Sequence, residues 1–206
     1  ADRLLILFAQ DILSTLPGAM VIYDVKCSNL LEDAILRAGG KSLMSASGYA
    51  VIRDKVEETG APLAGEMSGH IFFNDRWYGF DDAIYSACRL LEVLSKDQFE
   101  RSPTEVFSAI PNQESTPEIV VEMDELESRK FIQQFMIEAE FPGGKKMTVD
   151  GLRVNYPEGW GLVRASNTLP GLVLRFEAKT EENLQDIKLQ FKQQMLKVKP
   201  TITLLF

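Results

Sequence analysis

Apolar positions along the first half of the chain fall into short helical and strand-like stretches that alternate. Leu4, Leu5, Phe8, Ile12, Leu13 and Leu16 follow helical spacing, and Pro17-Gly18 predicts where that helix stops. Ala19–Val25 is a short run rich in β-formers, followed by a predicted helix from about Asn29 to Ala38 that Gly39-Gly40 closes. A strand is expected over Lys41–Met44 and a helix over Tyr49–Thr59, ended by Gly60. Strands near Pro62–Ala64 and over Ile71–Phe73 flank a glycine-bounded loop. A helix from about Asp81 to Leu94 then puts Ile84, Ala87, Cys88, Leu91 and Leu94 on one face. Strands alternating with helices of this length predict βαβ units and an α/β domain with a mixed or mainly parallel sheet.

The rhythm changes after Ser95. Residues 99–117 hold Pro103, Pro111 and Pro117 among many polar side chains, which predicts a linker with local turns between domains at 1–98 and 118–206. Beyond it a strand at Ile119–Met123 and a helix near Ser128–Glu140 precede three β-prone runs, Gly151–Tyr156, Gly161–Arg164 and Leu172–Ala178. The last alternates Leu172, Leu174, Phe176 and Ala178 against Val173, Arg175 and Glu177, the pattern of a half-buried strand. Thr180 is placed to cap a final helix whose buried stripe is Leu184, Ile187, Phe191 and Met195. The expected second domain is a small α+β sandwich on an antiparallel sheet.

Composition narrows the function classes. Hydrophobic residues are 45% and charged residues 25%, which excludes a disordered chain. The longest apolar run, Leu4–Ala9, is far short of the roughly 20 residues that a membrane-spanning helix needs, so no membrane partner is expected. Net charge is −8 and both parts of the chain are acidic, so neither offers the basic field of a nucleic-acid binder. An anionic ligand must then be held by a local pocket. Cys27 and Cys88 are too few for a disulfide framework and read as free thiols in a reducing compartment, the cytoplasm. No basic segment followed by an apolar core opens the chain. A start inside a helical pattern without a methionine is expected of a piece of a longer protein.

The densest candidate chemistry is Gly65-Glu66-Met67-Ser68-Gly69-His70. Glu66 can accept two hydrogen bonds from neighbouring hydroxyls, Ser68 adds a donor and an acceptor, and His70 is the sole histidine, which leaves no His-His or Cys-His metal site. The same residues also make an ordinary surface turn. A second candidate is Arg164-Ala165-Ser166-Asn167-Thr168-Leu169-Pro170, where a guanidinium, hydroxyls and an amide can wrap a phosphate; a polar turn closed by Pro170 is the plainer alternative. Lys26 follows a strand directly, where open α/β sheets take ligands, or is a solvated lysine. Trp77 and Tyr78 are weaker candidates for stacking on a sugar. Asp81 and Asp82 read as helix caps and Lys145-Lys146 as a solvated turn. No P-loop, G-x-G-x-x-G or serine-nucleophile elbow occurs.

The segments GEMSGHIFF and RWYGFDDAIYSACRLLEVLS, DVKC at Asp24–Cys27, and RASNTLP preceded by YPEGWGLV resemble the bacterial phosphomannomutase/phosphoglucomutase family of the α-D-phosphohexomutase superfamily. The resemblance covers about residues 1–96 and 115–206 in order, and Met67 stands where phosphoglucosamine mutases usually carry glutamine. It implies the third and fourth domains of a four-domain enzyme, the fourth of the TATA-binding-protein-like type. The complete enzyme is expected to interconvert hexose 1-phosphate and hexose 6-phosphate of glucose or mannose through a phosphoserine, with Mg2+ and a hexose 1,6-bisphosphate.

By the same resemblance, Glu66 and Ser68 grip sugar hydroxyls, His70 lines the transfer centre and Lys26 reaches into the cleft. Arg164, Ser166, Asn167 and Thr168 hold the phosphate that is not reacting. The partners implied are hexose phosphates and the family's N-terminal domains, which carry the phosphoserine and metal loops; this chain by itself is expected to bind no cofactor. Where the family usually has Lys-Thr-Gly-His-Ser, this chain has Ala46-Ser47-Gly48-Tyr49-Ala50, which removes a lysine and a histidine. A non-catalytic sugar-phosphate-binding module and a pure assembly domain are the competing readings.

Overall fold

In the computed structural model, which describes residues 1–206, the chain divides into two compact units, Ala1–Asn112 and Gln113–Phe206. The first carries α1 (Asp2–Thr15), β1 (Met20–Asp24), α2 (Asn29–Arg37), β2 (Lys41–Ser45), α3 (Tyr49–Thr59), β3 (Leu63–Gly65), β4 (Ile71–Phe73), α4 (Ala83–Ser95) and α5 (Pro103–Ser108). Its sheet has the order β2-β1-β3-β4, with β1 parallel to both β2 and β3, and β4 antiparallel to β3.

Alternate side chains of β1 serve two cores. Val21 and Tyr23 join Leu5, Phe8, Ile12, Leu31 and Ile35 on one face, and Ile22 joins Ile52, Val56 and Phe72 on the other. Burial on both faces is why β1 reads as an unbroken apolar run. The loops leaving the carboxyl ends of β1, β2 and β3 gather at one edge of this sheet; Asp24 is the last residue of β1, and Ser47 and Glu66 stand on the loops after β2 and β3.

Helix α4 corrects the sequence pattern. Ile84 and Leu91 are 81% and 68% exposed and Cys88 is also exposed, whereas Arg89 is buried. The reason is the surroundings of Arg89. Its Nη1 donates to both oxygens of Asp75 at 2.7 and 2.8 Å, its Nη2 donates to Asp11 at 3.3 Å, and its guanidinium lies 4.4 Å from the centre of the Phe73 ring. Turning Arg89, Tyr85 and Leu90 toward the core turns the more apolar stripe outward. The expected linker 99–117 also contains regular structure. Ser102 and Glu105 form a capping box on α5, Val106 and Ile110 are buried in the first core, and Glu114–Ser115 forms a strand.

The second unit carries β5 (Glu114–Ser115), β6 (Ile119–Glu122), α6 (Glu125–Glu138), β7 (Lys145–Met147), β8 (Leu152–Tyr156), β9 (Gly159–Ala165), β10 (Gly171–Ala178) and α7 (Glu181–Val198). Its antiparallel sheet runs β5-β10-β9-β8-β7, with β6 also paired to β10. Phe131 and Phe135 of α6 and Leu184, Ile187, Phe191 and Met195 of α7 pack on Leu152, Val154, Val163, Leu174 and Phe176. Lys145 and Lys146, expected as a turn, form the edge strand β7 against β8, and Lys146 donates to the carbonyl of Ala139.

The expected half-burial of β10 also gives way: every residue of it is buried. On the face away from the α6–α7 core, Glu177 accepts the indole N–H of Trp160 at 3.0 Å. The Arg153 guanidinium lies 3.7 Å from the Trp160 ring centre, so charged side chains are sheltered there by an aromatic and by each other.

Candidate functional site

In the first unit the chemistry collects where β1, β2 and β3 end. Glu66, one residue past β3, is only 3% exposed. Its Oε2 accepts the N–H of Gly48 at 3.1 Å, while Oε1 is buried and has no hydrogen-bond partner. Burial pushes the Glu66 carboxyl above its usual range and the nearby Asp24 charge adds to this; the Gly48 N–H, His70 and Lys26 pull the other way. The loop holding it is closed by Glu66 N–H to the His70 carbonyl at 2.8 Å and Gly69 N–H to the Glu66 carbonyl at 3.0 Å. Gly69 has φ +108°, a conformation that side chains resist, so the tight turn requires glycine there.

His70 is exposed, with Nδ1 2.6 Å from Oδ2 of Asp81. The other Asp81 oxygen accepts the N–H of Ile71 at 3.1 Å, so Asp81 is pinned from the strand itself. Helix α4 is instead capped by Asp82, whose side chain accepts the Tyr85 N–H at 2.9 Å. The Tyr49 ring meets His70 edge to face at 6.2 Å between centres and leans on Phe72 at 5.4 Å. Ser68 is exposed on the same loop. Lys26 is largely buried, with Nζ 3.9 Å from Oδ2 of Asp24. Trp77 stacks on Tyr85 at 4.5 Å and contributes to the core, whereas Tyr78 is 78% exposed.

The second unit presents its own site. Arg164 at the end of β9 is 4% exposed; its Nε donates to Oδ2 of Asp150 at 2.8 Å, and its Nη2 is buried without a partner. A side chain at Gly151 would bring its Cβ within 2.6 Å of the Arg164 Cα, so glycine lets these two backbones approach. Ser166 shapes the turn that follows. Its Oγ accepts the N–H groups of Thr168 at 3.3 Å and Leu169 at 3.1 Å, and its own N–H donates to the Gly171 carbonyl at 2.9 Å. Asn167 and Thr168 are exposed on that turn.

The sequence reading thus named Lys26, Glu66, Ser68 and His70, which share one sheet edge, and Arg164, Ser166, Asn167 and Thr168, which stand at the end of β9 and on the turn after it. It missed two carboxylates. Asp24 is fully buried at the end of β1, and the only sequence signal was a charge closing an apolar run. Asp81 was hidden by the capping aspartate beside it. No three His, Cys, Asp or Glu side chains stand together so as to hold a metal ion, so these residues do not fit one. No helix is long and apolar enough to cross a membrane.

Comparison with known proteins places the chain in a family. Residues 1–113 match the family model described as phosphoglucomutase/phosphomannomutase, alpha/beta/alpha domain III, and residues 118–194 match its C-terminal domain. The chain belongs to the phosphoglucomutase/phosphomannomutase family. It is 52% identical over 205 residues to a phosphomannomutase/phosphoglucomutase of Pseudomonas aeruginosa, matching 100% of this chain and 44% of that protein. A phosphoglucomutase of Neisseria meningitidis is 48% identical over 193 residues, 93% of this chain and 41% of that protein. A solved structure of a phosphoglucomutase/phosphomannomutase family protein from Burkholderia thailandensis superposes with a TM-score of 0.93 at 46% identity, covering 100% of this chain and 43% of that one. The chain therefore spans less than half the length of the phosphoglucomutase/phosphomannomutase relatives it matches.

Proposed function

We propose that this chain supplies sugar and phosphate recognition to a phosphohexomutase that interconverts hexose 1-phosphate and hexose 6-phosphate of glucose or mannose by intramolecular phosphoryl transfer. The reading rests on the unsatisfied oxygen of Glu66. A buried carboxylate oxygen without a donor is costly, and a sugar hydroxyl is a donor of the right kind and reach. Ser68, on the same exposed turn, offers a further donor and acceptor. His70, with Nδ1 engaged by Asp81, keeps Nε2 available to take the proton of a hydroxyl as a phosphoryl group arrives on it, or to return one as the phosphoryl group leaves. Lys26 adds positive charge at the same edge. In the second unit the unsatisfied Nη2 of Arg164 and the turn of Ser166, Asn167 and Thr168 bind a phosphate group.

The covalent and metal chemistry belongs to family domains beyond this chain's span: a phosphoserine, Mg2+ that would neutralise charge on the transferring phosphoryl group, and a hexose 1,6-bisphosphate. Its setting is the cytoplasm. Calorimetric titration of the chain with glucose 6-phosphate, mannose 6-phosphate and inorganic phosphate tests the reading. Both sugar phosphates are expected to bind more tightly than inorganic phosphate. No preference over inorganic phosphate would overturn it. The chain alone is expected to convert no glucose 1-phosphate, and conversion by a contaminant-free preparation would show that it needs no further domain.

A further inference from the structure

We propose that Asp24 is a positioning residue for the sugar site, a buried carboxylate that holds two loops in register and so aims the unsatisfied oxygen of Glu66. The inference deepens the proposed function and rests on it. Asp24 closes β1, the strand with parallel neighbours on both sides, and none of its surface is exposed. Its Oδ2 accepts the hydroxyl of Ser47 at 2.6 Å, and its Oδ1 accepts the N–H of Met67 at 2.9 Å and the thiol of Cys27 at 3.1 Å. Ser47 lies on the loop after β2 and Met67 on the loop after β3. One side chain therefore ties together the loops that leave three adjacent strands.

Glu66 completes a ring of contacts. Ser47 bonds to Asp24 while its neighbour Gly48 bonds to Oε2 of Glu66; Met67 bonds to Asp24 while its neighbour is Glu66 itself. Two carboxylates thus clasp consecutive residues of the loop after β2, Asp24 also holds the residue next to Glu66, and Glu66 is left one oxygen, Oε1, with no partner. Holding Asp24 in this ring brings a second negative charge near Glu66, and Lys26 at 3.9 Å offsets part of it. Burying a second carboxylate in the ring with Glu66 is unfavourable for the fold. That arrangement is expected where the geometry of one oxygen matters more than local stability.

The test is a double-mutant cycle on the whole chain, read by glucose 6-phosphate affinity, with inorganic phosphate as a second ligand. Asp24→Ala is expected to weaken glucose 6-phosphate binding by roughly tenfold or more, the effect of losing a well-placed bond to a charged group. Asp24→Asn, which keeps an acceptor for Met67 and can pair its amide with Ser47, should recover most of that loss. In the Glu66→Ala background, Asp24→Ala should add little, because the residue it aims is gone. Affinity for inorganic phosphate should stay level throughout.

Ser47→Ala removes one bond of the ring with Asp24 in place, and is expected to weaken glucose 6-phosphate binding in the same direction should Asp24→Ala not fold. Equal losses from Asp24→Ala with and without Glu66, or no loss from Asp24→Ala and Ser47→Ala, would overturn the inference while leaving the sugar-reading role of Glu66 intact. A wild-type chain that prefers neither sugar phosphate to inorganic phosphate would overturn both.

Discussion

Asp81 grips His70 through a 2.6 Å contact between Oδ2 and Nδ1, and is itself fixed by the N–H of Ile71 at 3.1 Å. A carboxylate only accepts, so Nδ1 carries the proton and the lone pair of the neutral ring lies on Nε2. Nitrogen NMR of the chain should find the Nδ1–H tautomer dominant. Asp81→Ala should release the ring, shift the populations toward the Nε2–H form and broaden the His70 signals. Unchanged nitrogen shifts in that variant would mean that Asp81 does not hold the ring.

Glu66 makes stability depend on pH in a direction that can be worked out. Its folded carboxyl is raised above the unfolded value of about 4.3, chiefly by burial, so the fold favours the neutral form. The stability this contributes is fully present below the unfolded value and is lost as pH rises through the raised folded value. Glu66→Gln keeps an acceptor for Gly48 and cannot ionise. Urea unfolding at a series of pH values should show the variant gaining on the wild type as pH rises from 4 toward 8. Parallel curves would contradict the assignment.

Arg164 and Glu66 should fail in different ways. Arg164→Ala is expected to weaken every phosphosugar alike, by about 1.5–3 kcal/mol for loss of a charge-assisted contact to phosphate. Glu66→Ala should weaken binding comparably but also change the preference between glucose and mannose phosphates. Titrations with both sugars decide it, and an equal weakening of the two by Glu66→Ala would remove Glu66 as the sugar reader.

Arg89 is a stability determinant away from this chemistry. Its side chain is 3% exposed and bonded to Asp75 and Asp11. Arg89→Met retains much of the stem's packing but leaves a half-buried carboxylate pair without its cation, a change that typically costs about 3–5 kcal/mol. Chemical denaturation should report a loss near that size with the phosphate affinity of the folded protein unchanged. A loss under about 1 kcal/mol would mean that Lys96 and Arg76 already compensate the cluster.

What the sequence determined by itself was local. Hydrophobic periodicity, Pro17-Gly18, Gly39-Gly40 and the caps at Asp82 and Thr180 set where α1, β1, α2, α4 and α7 begin or end, because each depends on residues a few positions apart. The Gly65–His70 and Arg164–Pro170 segments were legible for the same reason: their donors and acceptors are contiguous. Tertiary structure alone decided which way α4 faces, since that turns on Arg89 reaching Asp75 and Asp11 from another part of the chain. It alone decided that Asp24 is buried beneath both loops, since its bond to Met67 spans 43 positions and no short-range pattern encodes such a partner. A buried charge is tolerated only where distant donors converge on it, and that convergence exists only once the strands have paired.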